Sequence, residues 1–352
     1  MSDIEGVLRS WFSRNHSEKA QNLCQDLGFI LSSDIGAVRD ENQDRVAAMY
    51  TGSNSSDPVF VVAASDGMGG MRDGGVCSST ALSVFFSSLV KFGGGGVEER
   101  ALKSLYEANR AVFDAYKGNG GATLTAILVN VYGNRVLAHV GDTRIYSFDS
   151  DSVERHTADD SLVEVVGGGG RGLLQFVGMG EGISPKIDSL PKDRVNYAIT
   201  TDGIHGMEEG VFYKILRNSA GIKQASDRLG AISRWLGGED NSSSIILNIS
   251  DLEKGLSTYD CKYVQIWDAR GELAVSLSEG FDGNKRTPSN EKRSYKVVSD
   301  VDNTKKKKNE YFKKRGLQKP SVANKNNRND GDEAAGRVQL DIKIVSNKSN
   351  GE

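Results

Sequence analysis

Cysteine is scarce in this sequence, and no hydrophobic run is long. The three cysteines, Cys24, Cys77 and Cys261, lie far apart and have no metal-ligand spacing. This argues against a disulfide framework or a zinc cluster and favours a reducing compartment. No apolar run reaches membrane-spanning length, and the first residues lack a signal-peptide pattern. We therefore expect a cytoplasmic protein that does not enter a membrane.

Charge is unevenly distributed along the 352 residues, although the net charge is only −3. Residues 284–329 hold 15 Lys and Arg against 4 Asp and Glu, a net of +11, whereas residues 1–283 hold 26 against 38, a net of −12. The basic segment has few apolar residues and is predicted to be mostly disordered. We interpret it as a solvated linker. Nucleic-acid or acidic-protein binding is the alternative, which salt-sensitive DNA or RNA retention, lost on truncation at residue 283, would support.

The apolar pattern divides the chain into parts. The main part alternates strand-like runs with helical stretches at 73–92, 98–117 and 211–235. Near the N-terminus, apolar residues at helical spacing predict a short amphipathic helix packed on the body; a partner-binding helix is the alternative. The predicted parts are an N-terminal helical extension (1–27), the main domain (28–250), a short β-hairpin region (251–279), a basic linker (280–336) and a C-terminal strand and tail (337–352).

The stretch Ala64–Gly70 organises the main domain. It follows the run Val59–Ala63, which has no polar face and reads as a strand buried on both sides. Such a strand delivers Asp66 to the rim of a sheet, where a carboxylate is costly unless it is hydrogen-bonded or holds a cation. Three more aspartates follow or separate apolar runs, namely Asp142, Asp202 and Asp240. Their common placement predicts a site for hard metal ions.

The chemistry of such a site follows from its donors. Oxygen ligands with no Cys or His cluster favour magnesium or manganese over zinc or copper. Two such ions can activate a shared water and neutralise charge on a phosphoryl group. A phosphate substrate would call for an Arg fork nearby, and Arg39, in an unusually charged segment between two apolar runs, is the candidate. Together these residues indicate metal-assisted hydrolysis of a phosphoester.

Six short motifs follow one another along the chain: Arg39-Asp40-Glu41-Asn42-Gln43-Asp44, Asp66-Gly67-Met68-Gly69-Gly70, Gly121-Ala122-Thr123, Val140-Gly141-Asp142-Thr143-Arg144, Thr201-Asp202-Gly203 and Asp240-Asn241. In order and spacing they resemble those of the metal-dependent protein serine/threonine phosphatases of the type 2C (PPM) family, the bacterial form above all. The resemblance covers about residues 28–250.

The resemblance implies an α+β fold, a four-layer α-β-β-α sandwich with two central antiparallel sheets, to which a small C-terminal β-rich and disordered extension is added. It also implies two Mn²⁺ or Mg²⁺ ions, phosphorylated proteins as substrates and a cognate Ser/Thr kinase. By position, Arg39 should bind phosphate and Asp44 should orient the attacking water from behind the metals. Thr123 should be strand packing. The implied metal ligands are Asp66, the Gly67 carbonyl, Asp202 and Asp240, with Asp142 for a weaker third ion.

Three positions depart from the family pattern. Gln43 stands where many members have a Glu ligand, so it should weaken one ion. Gly206 stands where many have an Asp for the third ion, which puts that ion in doubt. Asp160 stands where His is common, and the flap that follows, about residues 161–172, is short.

Two further interpretations stay open. A catalytically weak or inactive member that binds phosphoproteins is the alternative to an enzyme, because of Gln43 and Gly206. Of the four histidines, His139 is expected to pack in a strand and His205 to lie at the rim of the site.

Overall fold

The computed structural model describes residues 3–14, 18–68, 71, 73–162, 164, 172–277, 295–297 and 343–345. Its helices are α1 (Asp3–Phe12), α2 (Gly74–Lys91), α3 (Val97–Tyr116), α4 (Asp202–His205), α5 (Glu209–Arg217), α6 (Ile222–Trp235) and α7 (Ile249–Thr258). Its strands are β1 (Ala20–Cys24), β2 (Phe29–Asp34), β3 (Asp44–Tyr50), β4 (Val59–Asp66), β5 (Leu124–Asn130), β6 (Arg135–Val140), β7 (Arg144–Phe148), β8 (Val153–Arg155), β9 (Lys186–Ser189), β10 (Asn196–Thr200), β11 (Ser242–Asn248), β12 (Val264–Asp268), β13 (Gly271–Leu277), β14 (Tyr295–Val297) and β15 (Lys343–Val345).

The strands form two sheets. The first has the order β1-β2-β11-β10-β7-β8, and the second has the order β14-β13-β12-β3-β4-β5-β6-β9, with β15 also paired to β13. The pairings within these sheets are antiparallel.

Strand β4 shows why the two sheets stack. Its side chains alternate between two apolar layers: Val61 packs toward the helices α2 and α3, whereas Phe60 and Val62 pack toward the first sheet. On the far side of the first sheet, Ile246 joins side chains of α5 and α6. A strand with two apolar faces is stable only when both are covered. The result is the four-layer α-β-β-α sandwich that the sequence resemblance implied.

The N-terminal helix is part of this core. Leu8 and Phe12 of α1 are fully buried, and Phe12 packs edge-on against Phe86 of α2. Downstream of the helix, β1 pairs along β2 and lengthens the first sheet. A helix but no strand was predicted in residues 1–27, because the one buried side chain of Ala20–Cys24 is the polar Asn22, which gives no apolar alternation to signal a strand.

Two other regions differ in detail from expectation. The helical stretch 211–235 is two helices, because residues 218–221 separate α5 from α6 and Gly221 has a positive φ of 139°. The predicted hairpin is present as β12 and β13, and β12 pairs with β3. Most of the basic linker 280–336 and of the tail 337–352 lies outside the described residues. Among the helices that are described, none combines the length and the apolar character needed to cross a bilayer.

Candidate metal and phosphate site

Strand register brings the first two acidic residues together. Asp44 begins β3, Asp66 ends β4, and the two are directly opposite each other in the antiparallel ladder. Residues paired in this way have Cβ atoms about 5 Å apart. Two carboxylates at the same rim of a sheet form the start of an acidic cluster.

Threonine side chains hold the end of β4 in place. The Asp66 N–H donates to Thr123 Oγ1 (2.9 Å), the Thr123 N–H donates back to the Asp66 carbonyl (2.8 Å), and Thr123 Oγ1 lies 2.7 Å from Thr143 Oγ1. Thr123 is buried. Its role is therefore the packing role expected from the sequence.

The backbone at Gly67 permits no side chain. A Cβ placed there would lie 2.2 Å from the Gly74 carbonyl oxygen, at the start of α2. The Gly67 N–H donates to the Gln43 carbonyl (3.2 Å), so the loop after β4 is fastened to the segment before β3. Only glycine allows this close approach of two backbones.

Asn241 joins the other acidic residues to the segment that carries Arg39. Its Nδ2 donates to the carbonyls of Ile35 (2.9 Å) and Glu41 (3.0 Å), and its Oδ1 accepts from the Gln43 N–H (2.8 Å). Its own N–H donates to Asp240 Oδ1 (2.8 Å). Asn241 belongs to one of the sequence motifs, but no role was predicted for it. An Asn side chain has both donors and an acceptor, so it can hydrogen-bond to several backbone groups of the Arg39 segment at once.

The predicted residues meet along one pair of adjoining cavities. The Asp66 cavity, about 480 Å³, is lined by Asp66, Gly67, Gln43, Thr123 and Met68 among others. The Leu236 cavity, about 520 Å³, is lined by Leu236, Met207, Arg144 and Gly206 among others. Four of the predicted residues line both cavities, namely Arg39, Asp142, Asp202 and Asp240. Asp44 lies behind them, fully buried.

Burial raises the proton affinity of these acids. Desolvation, with a smaller contribution from nearby carboxylates, raises the pKa of Asp44 to about 7 and that of Asp142 to about 7. Burial, followed by the charges of Asp44 and Asp202, raises the pKa of Asp66 well above its usual value. Such shifts are typical of groups that share a site with like charges.

One oxygen in the cluster has no hydrogen-bond partner. Asp44 Oδ2 accepts from Thr201 Oγ1 (2.8 Å), whereas the buried Oδ1 of the same carboxylate accepts from no group of the described residues. A buried polar atom without a partner costs free energy, and at functional sites it commonly belongs to a ligand or a water.

Arg39 and Asp240 form an ion pair. Arg39 Nη2 lies 2.8 Å from Asp240 Oδ2, and both side chains are partly exposed. Because of this ion pair, binding of a metal ion by Asp240 would compete with its pairing to Arg39.

Among the described residues, no group of three or more Asp, Glu, His or Cys side chains is arranged so that it could hold an ion as it stands.

The three departures from the family pattern have distinct surroundings. Gln43 Nε2 donates to Glu41 Oε2 (3.2 Å), so its amide is already engaged. Asp160 Oδ2 accepts from the Gly141 N–H (2.8 Å), just before Asp142, where Gly141 has φ of 111°. Gly206 ends α4 and contributes no ligand atom from a side chain. Much of the flap that follows Asp160 lies outside the described residues.

The histidines do not face the acids as ligands. His139 is buried in β6, where Nδ1 lies 2.8 Å from Thr125 Oγ1 and Nε2 lies 3.0 Å from the Ala158 carbonyl. It is thus the packed strand residue that was expected. His205 lines the Leu236 cavity, in keeping with the predicted place at the rim of the site, but most of its side chain is buried, with Nδ1 2.9 Å from Thr200 Oγ1. Burial lowers the pKa of both imidazoles.

Comparison with known proteins gives consistent relatives. No family model matches the chain. It is 25% identical over 251 residues to the serine/threonine protein phosphatase PstP of Mycobacterium tuberculosis. The matched region covers 65% of this chain but only 46% of that protein. It therefore spans about half the length of that relative. It is 24% identical over 246 residues to the serine/threonine phosphatase stp of Listeria innocua, covering 63% of this chain and 96% of that protein.

Solved structures share the fold. The serine/threonine phosphatase Stp1 of Staphylococcus aureus has a TM-score of 0.57 at 21% identity, over 67% of this chain and 98% of that one. The catalytic domain of PstP in complex with two manganese ions has a TM-score of 0.52 at 23% identity, over 65% of this chain and 98% of that one.

The order of the motifs, the two-sheet architecture and these relatives agree with one another. We conclude that the chain has the fold of the bacterial type 2C (PPM) serine/threonine phosphatases and is similar to them in sequence.

Proposed function

We propose that this chain hydrolyses phosphoserine and phosphothreonine on proteins with the help of two Mn²⁺ or Mg²⁺ ions. The observation that carries the proposal is the meeting of Asp66, Asp202, Asp240 and Arg39 along one cavity wall. A cognate Ser/Thr kinase as the opposing activity, and a cytoplasmic location, remain predictions.

The donor set fits hard divalent ions. All the side-chain groups concerned are carboxylates, the preferred ligands of Mg²⁺ and Mn²⁺. The raised pKa values of Asp44, Asp66 and Asp142 and the unpaired Asp44 Oδ1 indicate acids placed for a cation or an ordered water. In this proposal Asp66, the Gly67 carbonyl, Asp202 and Asp240 hold two ions, and Asp142 contributes to a weaker third.

The chain's own groups would then act on the substrate. When bound, the two ions supply an activated water near neutral pH and neutralise charge on the phosphoryl group. Arg39 orients the phosphate through its guanidinium fork, which requires its pairing with Asp240 to open. Asp44 Oδ1, which is buried and has no hydrogen-bond partner in the described part of the chain, would accept a hydrogen bond from the attacking water and hold it in line.

The test is hydrolysis of p-nitrophenyl phosphate by the purified chain with metals added one at a time. We expect manganese-dependent turnover that is lost in Asp66→Ala and Asp202→Ala. Asp188→Ala, which removes an exposed acid on β9, is the matched control and should keep full activity. No turnover at saturating manganese would favour the alternative, a phosphoprotein-binding module that is weak or inactive because of Gln43 and Gly206.

A further inference from the structure

Some of the exposed apolar side chains in the described part of the chain lie at the candidate site or next in sequence to residues that line it. Among the described residues, eleven large apolar side chains are exposed. Five of them either line one of the two cavities or adjoin a residue that does, namely Val38, Leu162, Leu174, Trp235 and Leu236. Single exposed apolar residues are ordinary, but a cluster at the edge of a cavity marks a binding surface.

Backbone contacts join the two sides of this surface. Trp235, which is 80% exposed, ends α6 and is followed by Leu236, which lines the Leu236 cavity. The Gly238 carbonyl accepts from the Ala37 N–H (2.7 Å), and Ala37 is followed directly by Val38, which is 64% exposed. The α6 side and the Arg39 segment therefore form one continuous rim.

Apolar side chains, several of them methionines, form part of the cavity wall below this rim. Met207 and Leu236 line the Leu236 cavity, and Met68, Met71 and Leu173 line the Asp66 cavity. Methionine side chains adapt to apolar partners of varied shape. Such a wall is suited to the aliphatic side chain of a bound peptide.

The charges of the Leu236 cavity oppose an acidic occupant. Its described lining holds six carboxylates, those of Asp142, Asp159, Glu164, Asp202, Glu239 and Asp240, against the guanidinium groups of Arg39 and Arg144. Both guanidinium groups are engaged: Arg39 pairs with Asp240, and Arg144 pairs with Asp159 through Nε (2.9 Å) and Nη2 (2.6 Å). With Asp142, Asp202 and Asp240 assigned to metal ions and Asp159 paired with Arg144, the carboxylates of Glu164 and Glu239 are left to repel a flanking Asp or Glu of a substrate.

We propose that this rim docks the apolar residue next to the phosphorylated Ser or Thr of a protein substrate. The inference rests on the proposed function, because the occupant is argued from continuity with Arg39. Val38 precedes Arg39 in the chain and Leu236 lines the same cavity as Arg39, so a peptide whose phosphate reaches Arg39 has these two apolar side chains beside it. The substrate class is accordingly a phosphoserine or phosphothreonine flanked by leucine-like residues and poor in acidic ones.

The test measures binding, so that it gives a result whether or not the chain turns over. Short fluorescent peptides carry a non-hydrolysable phosphonate analogue of phosphoserine with Leu, Ala or Glu on either side, and their Kd values are measured in manganese buffer. We expect the Leu peptide to bind roughly tenfold more tightly than the Ala peptide, the effect of burying one such side chain, and the Glu peptide to bind most weakly. In Trp235→Ala/Leu236→Ala the preference for Leu should fall close to unity.

A matched control guards against general effects of removing apolar surface. Tyr132→Ala removes a side chain that is 77% exposed at the turn between β5 and β6, away from both cavities, and should keep the preference. Equal binding of the Leu and Ala peptides, stronger binding of the Glu peptide, or a preference that survives the double substitution would overturn the proposal. The proposal would also be overturned if Trp235→Ala/Leu236→Ala changed the self-association of the chain and left the Kd values of the peptides unchanged.

The two proposals fail separately. Absence of p-nitrophenyl phosphate hydrolysis, together with a Leu preference that depends on Trp235 and Leu236, would support the docking surface and reject the enzyme. Hydrolysis without any such preference would do the reverse.

Discussion

Replacing Asp44 with asparagine should stabilise the metal-free protein. Asp44 is fully buried, and burial raises its pKa from 3.8 to about 7. The folded state therefore retains a proton that the unfolded state releases between pH 4 and 7. Stability is greatest below the unfolded pKa and declines as the pH rises through the folded pKa. A shift of about three units corresponds to at most about 4 kcal/mol above pH 7.

An asparagine in the same place avoids this charge penalty but introduces an unpaired amide. Its carbonyl can still accept from Thr201 Oγ1, whereas its NH2 group would lie where Asp44 Oδ1 has no partner. A buried NH2 group without a hydrogen-bond acceptor lowers the free energy of unfolding by about 1–3 kcal/mol. The expected net gain for Asp44→Asn at pH 8 without metal is therefore about 1–3 kcal/mol.

The assay is urea unfolding in the presence of EDTA between pH 5 and pH 8, on the wild type and on Asp44→Asn. We expect the wild type to lose stability with rising pH more steeply than the variant, and the curves to cross near the acidic end. With manganese and substrate, the variant should be slow, because the proposed water-holding oxygen is gone. A variant that is less stable than the wild type at pH 8 without metal would refute the reasoning.

Three further outcomes are expected. Gln43→Glu should lower the manganese concentration that gives half-maximal hydrolysis, because a carboxylate binds the ion better than an amide; an unchanged metal requirement would show that position 43 is not a ligand. Phe12→Ala should cost about 3–5 kcal/mol in unfolding free energy, since Phe12 is 1% exposed, against little change for the exposed Tyr132→Ala; a small effect would mean that α1 is not part of the core. His139 has a folded pKa below its unfolded value of 6.5 because it is buried, so stability present above pH 6.5 should fall as the pH drops below it. His139→Gln should flatten that decline, and parallel curves would contradict the assignment.

The layered fold was implied by the family resemblance and is confirmed, whereas the strand that leads to the acidic site was visible in the apolar pattern itself. The unbroken apolar run of β4 is visible in the sequence, and it ends at Asp66 as expected. Strand ends at the same rim then brought Asp142, Asp202 and Asp240 to shared cavities. The assignment of individual ligands remains a prediction, since the side chains as they lie form no closed set among the described residues.

Other features could not be read from the sequence because they depend on long-range contacts. Arg45 is buried, and its Nε donates to the Phe12 carbonyl (2.7 Å) while its Nη1 donates to the carbonyls of Asn42 and Asp44 (2.7 Å each). An arginine beside a charged motif reads as surface in the sequence. Only the folded structure shows that Arg45 is buried and that its hydrogen bonds join the N-terminal helix to the Arg39–Asp44 segment.

The hairpin of β12 and β13 has a consequence for the self-association of the chain. Strand β3 pairs with β4 on one side and with β12 on the other, and its sequence from Val46 to Tyr50 is wholly apolar. Without the hairpin, that side of β3 would present open N–H and C=O groups to any passing strand, the usual template for intermolecular pairing. The hairpin that follows α7 thus covers β3 and prevents the second sheet from pairing with strands of other molecules.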